Sequence, residues 1–360
     1  MLELTRKKDK SLVGLEIEAD SIAATEVRVN GDTNVAATAL APLPPGAFHE
    51  GEVVEPEAVA ESLKQLFSQH KLSKRVRLGI ANQKVVVRTL RLPAIEDPKE
   101  LDAAIRFQAT EQIPMPLDQA VLDHRVVGGV GAADGEAPKI DVVVVAARRD
   151  MISASLQPLR DAGLEPVGVD LSAFGMIRAL EVSAPVAEDE VAGTTDSGAV
   201  LYCNVGDVTN LAVAKGRSCL FTRIAPAGLE AMATDLARST GLTREHAQQW
   251  LGHVGLELPL DQISGDPGLA GQVRATLEAG AASLVDELRL SLDFYGTQDN
   301  SVPVERVVLG GPATAIPGLV QQMSAQLGLP VEARCPQALG ALDESTAARL
   351  TLSYGLALED

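Results

Sequence analysis

The sequence predicts an α/β protein in two lobes, and three observations carry that expectation. Runs with strand character alternate with amphipathic helical patterns along most of the chain, which favours layered sheets and helices over a bundle or a sandwich. A strand–turn–strand pattern occurs twice, once in each half, as VGLEIEADSIAATE from Val13 to Glu26 and LYCNVGDVTNLAVA from Leu201 to Ala214. A third segment, Val307-Val308-Leu309-Gly310-Gly311-Pro312-Ala313, is an apolar run that ends in two glycines and leads into Ile316-Pro317-Gly318-Leu319.

Strand-like runs fall at Val76–Ile80, Val85–Leu92, Ile140–Ala146, Val200–Asn204 and Arg306–Leu309. Helical patterns lie between them at Glu57–Gln69, Glu100–Gln112, Arg149–Asp161, Leu171–Leu180, Leu229–Thr240 and Gly271–Tyr295. Asp97-Pro98-Lys99-Glu100 marks a helix start, with Asp97 as N-cap, Pro98 at the first helical position and Glu100 placed to reach back. Ile113-Pro114-Met115-Pro116 must end that helix. The longest helix should turn Leu288, Leu292 and Tyr295 inward, and Glu287, Arg289 and Ser291 cannot all share one face. Gly128–Pro138 and Glu181–Gly198 read as loops, the second as a hinge between halves, and Pro259–Gly268 as an exposed connection.

Composition narrows the function. A chain of 360 residues holds about two domains, each able to bury a sizeable core. With 31 basic and 49 acidic residues the net charge is −18, which disfavours nucleic acid and anionic lipid. The basic cluster Arg6, Lys7, Lys8 and Lys10 reads as a solvated tail. No apolar run approaches the ~20 residues that cross a bilayer and no signal-peptide core is present, so the protein is expected in the cytoplasm. Cys203, Cys219 and Cys335 have no CxxC spacing, and His49, His70, His124, His246 and His253 form no i, i+4 pair, so neither disulfides nor a protein-held metal are indicated. Neither a GxSxG elbow nor a P-loop occurs.

Paired hairpins of this kind are how actin-like and sugar-kinase-like proteins grip the phosphates of ATP between two lobes. Glycine lets the backbone approach phosphate oxygens, while N–H groups and a hydroxyl donate hydrogen bonds to them. Gly206, Asp207, Thr209 and Asn210 suit that task. Counted from Val13 and Leu201, Glu16 falls on Asn204, Glu18 on Gly206 and Ser21 on Thr209. Glu16 and Glu18 would bring negative charge towards a polyphosphate unless a metal or a basic side chain intervenes. Glu16 is the candidate to hold Mg²⁺ and orient water, whereas Asn204, a neutral amide, could bind water but not act as a base.

Several stretches together resemble the PilM family of type IV pilus assembly proteins, relatives of the division protein FtsA in the actin-like ATPase superfamily. They are Val86-Val87-Arg88, Leu92-Pro93, Glu100-Leu101, Gln112-Ile113-Pro114, Leu122-Asp123, Val145-Ala146-Ala147-Arg148, Ala162-Gly163-Leu164 with Pro166 and Val167, Val169-Asp170, Asn204-Val205-Gly206, Glu287-Leu288-Arg289 and Gly310-Gly311. The resemblance implies an actin-like (ribonuclease H-like) two-lobed fold with an FtsA-type inserted subdomain. By analogy the first lobe takes residues 1–93, 168–195 and 344–360, the insertion 94–167 and the second lobe 196–343.

It further implies a cytoplasmic scaffold, peripheral at the inner membrane, that binds the short N-terminal tail of a PilN-type membrane protein and works beside pilus motor or platform proteins. The nucleotide, ATP with Mg²⁺, would meet Ser21, Gly206, Asp207, Thr209, Asn210, Gly228, Arg289, Gly310 and Gly311. The tail would meet Arg88, Arg91, Arg106, Phe107, Asp170 and Phe174, near the junction of lobe and insertion. The family's first phosphate turn reads Asp-Ile-Gly where this chain has Glu16-Ile17-Glu18, and its second begins with Asp where this chain has Asn204. Ala227-Gly228 stands for a glycine pair, and Pro312 follows the adenosine-side turn. Together these departures point to weakened or lost ATP binding and a scaffold rather than an enzyme. An active ATPase, a sugar-kinase-type phosphotransferase and an FtsA-like filament former are the alternatives.

Overall fold

The structure is a computed structural model that describes residues 11–30, 32–130, 138–181, 198–298 and 301–358. The chain opens with β1 (Ser11–Ile17), β2 (Ser21–Asn30) and β3 (Asp32–Pro42), followed by the short ribbon β4 (Phe48–His49) and β5 (Glu52–Val53), helix α1 (Pro56–His70) and β6 (Arg75–Ile80). Next come β7 (Val86–Pro93), α2 (Pro98–Gln112), β8 (Ala120–Val130) and β9 (Lys139–Arg148), then α3 (Arg149–Asp161), β10 (Glu165–Leu171) and α4 (Ser172–Glu181). The second half holds β11 (Ala199–Val205), β12 (Thr209–Lys215), β13 (Ser218–Ala225), α5 (Leu229–Thr240), α6 (Arg244–Val254), α7 (Pro267–Gly296), β14 (Val304–Gly310), α8 (Leu319–Leu327) and β15 (Val331–Ala333). Helices α9 (Glu344–Arg349) and α10 (Thr351–Ala357) follow.

Two five-stranded sheets repeat one plan. The first runs β3-β2-β1-β6-β10 and the second β13-β12-β11-β14-β15. In each, three antiparallel strands form a meander, and two parallel strands extend it on the side of the first. The two sequence hairpins are therefore equivalent pieces of equivalent sheets. Val13, Leu15 and Ile17 alternate inward from β1 onto Val59, Leu63, Leu66 and Phe67 of α1. In the second lobe Leu201, Cys203 and Val205 of β11 meet Leu277, Leu284 and Leu288 of α7. Helix α7 starts before the expected Gly271, because Asp266 accepts the Leu269 N–H as N-cap and Pro267 occupies the first turn. Leu288 and Tyr295 are buried as expected, with Leu292 half-buried against the same core.

The third sheet, β7-β9-β8, forms the insertion. Asp97 caps α2 by accepting the N–H groups of Lys99 and Glu100, and the helix covers one face of this sheet through Leu90, Leu92, Ile105, Val142 and Val144. Because β7 pairs with β9 from Val86 to Pro93, the sheet begins before residue 94. At the other end Leu159 of α3 and Leu164 pack in the first lobe's core, so the insertion closes near Arg148 rather than at 167. Sequence shows that Val85–Leu92 is a strand but not which sheet it joins. The connection at 259–268 holds a short 3₁₀ turn and is largely exposed, as expected. The expected hinge falls mostly at 182–197, the middle of the 128–138 loop at 131–137, and the basic cluster at 6–10, all outside the described residues. No helix among the described residues is long and apolar enough to cross a membrane.

Helix α4 lies between the lobes. Ala173, Met176, Ile177 and Leu180 pack with Tyr202, Ala212, Ala214 and Val308 of the second lobe's sheet, and Val85, Val87 and Val145 of the insertion join the same cluster. Its crossing with α10 is closed by small residues, since a Cβ on Gly355 would overlap the Gly175 carbonyl oxygen. Arg178 donates to the Gly355 carbonyl at 3.0 Å, and Arg77 to those of Leu356 and Leu358 at 3.0 and 2.7 Å, satisfying carbonyls at the helix end. Gly355→Ala is expected to lower unfolding free energy by about 1–3 kcal/mol through overpacking. Gly271→Ala, on α7 with open space around it, should raise it by about 0.5–1 kcal/mol, and urea denaturation of the two variants measures both effects.

Candidate functional site

The two hairpin tips face each other across the cleft. The N–H of Ala19, in the β1–β2 turn, donates to the carboxylate of Asp207 in the β11–β12 turn. The Glu18 carboxyl lies against Gly206 so closely that a Cβ there would overlap its Oε1. Carboxylate oxygens of Glu18, Asp20 and Asp207 come within 4.8 Å of one another. Gln248 of α6 donates to Asp20 at 3.2 Å, and Arg349 of α9 stands 3.9 Å from it. One layer deeper Glu16 is buried and accepts the Ser172 hydroxyl, at the start of α4, at 2.9 Å on both oxygens.

This crowding changes the acids. Burial pushes the Glu16 carboxyl up to about 8 against the opposing hydrogen bond from Ser172. Asp207 rises to about 7, first through burial and then through the charges of Asp20 and Glu230. Glu18 is held well above the usual carboxylate range, first by burial and then by Asp207, Glu16 and Asp20, with Arg349 opposing.

Of the residues expected to meet a nucleotide, Ser21, Gly206, Asp207, Thr209 and Asn210 gather at the two hairpins. Gly228 lies under the Asp207 and Gly206 carbonyls, and the Leu229 N–H that opens α5 donates to Gly206 at 2.8 Å. The Thr209 hydroxyl donates to the Ala227 carbonyl at 2.5 Å. Gly310 and Gly311 end β14 beside Asn204; Gly311 has φ 83°, and a Cβ there would stand 2.7 Å from the Asn204 Oδ1. That buried oxygen finds no donor among the described residues. Arg289 is elsewhere, exposed on the other side of α7, where it pairs with Asp286 and donates to the Gln326 carbonyl. Glu287 and Ser291, one turn apart, are the α7 side chains that bond to the second lobe's edge strand, both through Arg223, at 2.9 and 3.0 Å.

These residues do not fit a polyphosphate. The carboxyl of Glu18 fills the space over Gly206, the Thr209 hydroxyl and the Leu229 N–H are already committed, and further negative charge would meet Asp20 and Asp207. His253 packs edge-on to Trp250 with its Nε2 2.9 Å from the Ser264 carbonyl oxygen, and no histidine joins the acidic cluster among the described residues.

A second concavity, about 490 Å³, opens between the insertion and the first lobe. Val121 and Val126 of β8, Val143 and Val145 of β9, Val169 of β10 and Ile177 of α4 give it an apolar lining, and the β12–β13 turn closes it with Arg217, Ser218 and Cys219. Of the residues assigned to the tail, Asp170 and Phe174 line it. Asp170 is ion-paired with Arg178. The other four residues expected there stand apart. Arg106 pairs with Asp102 and Phe107 is exposed on α2, over the opposite face of the sheet. On the edge strand β7, Arg88 donates to the Val87 carbonyl and Arg91 pairs with Asp141 at 2.8 Å. Sequence missed the valines because Ile140–Ala146 reads as a strand buried on both faces, with nothing to mark the face that a helix leaves uncovered.

Duplicated sheets with facing hairpins define the actin-like class of ATPase folds. The chain is similar to EutJ, the ethanolamine utilization protein of Carboxydothermus hydrogenoformans (15% identity over 97% of this chain and 89% of that one, TM-score 0.53). It is also similar to MreB5 of Spiroplasma citri bound to ADP (11%, 96% and 94%, TM-score 0.50), and at these identities the likeness shows the fold alone. The sequence profile of the type IV pilus assembly protein PilM matches residues 14–354, and the chain belongs to that family. A chain of the PilM–PilN type IV pilus biogenesis complex is 26% identical over 96% of this chain and 97% of that one, with a TM-score of 0.76.

The cleft acids fix the direction of a pH dependence. Their folded values are raised, so between the ordinary carboxyl value of 4.5 and about 8 the folded state holds protons that the unfolded chain releases. Unfolding free energy is therefore expected to fall as pH rises through that window, and Glu16→Gln should flatten the fall; urea midpoints across the window measure it.

Proposed function

We propose that this chain is a cytoplasmic scaffold of the inner-membrane platform in type IV pilus assembly and that its groove captures the short N-terminal tail of a PilN-type membrane protein. The observation that carries this reading is the apolar groove between β8, β9, β10 and α4, in a chain whose family is that of PilM and whose fold follows a component of a PilM–PilN complex over nearly its whole length. Phe174 and the valines supply apolar contact, while Asp170 is paired with Arg178 and Arg217 with Glu181. The protein reaches the membrane face through this partner and presents its remaining surface to pilus motor or platform proteins. Nucleotide binding is weak or lost, and the scaffold works without hydrolysis.

Calorimetry with a synthetic tail peptide of the cognate PilN-type protein tests this. Binding is expected with the same affinity in the presence and absence of ATP and Mg²⁺. Val126→Asp or Val169→Asp, at positions 46% and 36% exposed and so tolerant of change, should weaken it at least tenfold, about 1.4 kcal/mol. Absence of heat with the wild-type chain would overturn the proposal.

A further inference from the structure

On the reading that the groove seats the partner's tail, we propose that it continues into a second, polar subsite between the lobes, where Asn210 and Thr222 bind main-chain amides or an uncharged polar side chain of the same tail. A concavity of about 430 Å³ opens beside the groove, and Ile80, Val85 and Leu171 line both. Strand β13 runs along both as well, with Ser218 and Cys219 in the groove and Thr222, Arg223 and Ile224 in the second space. That volume lies within the range of about 300–1,000 Å³ in which proteins hold ligands. Laid along the eight residues of β13, an extended segment of similar length spans both spaces at about 3.3 Å per residue. A short tail is long enough.

Sheet register decides what this space offers. Asn204, Asn210 and Ile224 are cross-strand partners, as are Tyr202, Ala212 and Thr222, and side chains of such partners share a face. Helix α4 packs on that face over Tyr202, Ala212 and Ala214. Asn210, Thr222 and Ile224 lie outside the strip it covers and line the concavity. Asn210 is only 3% exposed, yet its side-chain amide makes no hydrogen bond among the described residues, and neither does the Thr222 hydroxyl. A buried amide without partners is costly, and a bound main chain supplies both the donor and the acceptor that it lacks. The charged pair of the lining, Arg223 and Glu287, is closed on itself at 2.9 Å, while Asn82 is spent on the Glu50 and Gly51 carbonyls and the Lys84 N–H. The open groups are uncharged and stand beside Val85, Val87 and Ile224, which matches a peptide of amides and apolar side chains rather than an ionic ligand.

Calorimetry on the full chain with the cognate tail peptide, whole and shortened at either end, tests the subsite. Thr222→Trp, which fills the space from a half-buried position, is expected to weaken the whole tail by about tenfold or more, and Asn210→Ala severalfold. One of the shortened peptides should bind the wild type and Thr222→Trp alike, whereas Val126→Asp in the groove weakens every peptide. In the wild-type chain a photo-crosslinker at one terminus of the tail should attach to β13 from Thr222 onward, and at the other terminus to β8, a readout that survives if a variant does not fold. Absence of heat with the wild-type chain would overturn the tail groove and the subsite together. Whole-tail affinity unchanged in Thr222→Trp, with both termini crosslinked in the groove alone, would overturn the subsite and leave the scaffold standing. A wild-type dimer lost in Thr222→Trp, in sedimentation without peptide and at unchanged tail affinity, would assign the space to a second copy of the chain and overturn the subsite as well.

Discussion

The cleft and the groove both depend on the seat of α4. Its Ser172 end holds Glu16 in the cleft, its Phe174, Ile177 and Arg178 side chains form one wall of the groove, and its apolar face is the contact between first lobe and second. That seat is set by close approach rather than by a large side chain. Gly175 and Gly355 let α4 and α10 touch backbone to backbone, and Arg178 then bonds both the Gly355 carbonyl and Asp170. A buried guanidinium is tolerated only when its donors are met in this way. The contact thus orders the groove and the cleft with one set of bonds.

The cleft is governed by electrostatics, and magnitudes decide its state. At an effective dielectric constant of about 20, two like charges 4–5 Å apart repel by about 3–4 kcal/mol. Glu18, Asp20 and Asp207 form three such pairs, and the attraction of Arg349, 3.9 Å from Asp20 alone, offsets about one. Proton uptake is the less costly outcome at Glu18 and Asp207, whose carboxyls burial raises first and neighbouring like charges raise further. The groove differs in kind: valine is the commonest residue of its lining, and Asp170 is neutralised by the buried Arg178.

The frame was legible in the sequence because its signals are local. Alternating apolar residues mark each hairpin, Asp97-Pro98 marks a helix start, and the offset between Val13 and Leu201 reveals equivalent strands before any sheet is seen, whereas Asp266-Pro267, which opens α7, reads as part of an exposed connection. Partnership was not legible. That β7 joins the insertion depends on β9, some fifty residues on, and that α2 covers the face carrying Val142 and Val144, leaving Val143 and Val145 to the groove, depends on tertiary packing. Arg289 shows the same limit: helical spacing separates it from Glu287, yet only the position of α8 tells which of the two points outward.

The two-lobed body has a physical reason that lies outside the cleft. The groove is closed on one side by the β12–β13 turn of the second lobe, and α4 is buried only because that lobe's sheet packs on it. Removing the second lobe would expose Met176, Ile177 and Leu180 and leave the groove without a wall. The hairpin tips carry no comparable load, since any bond between them that keeps the lobes together satisfies the same geometry. A carboxylate at position 18, seated over Gly206, is therefore compatible with an intact groove.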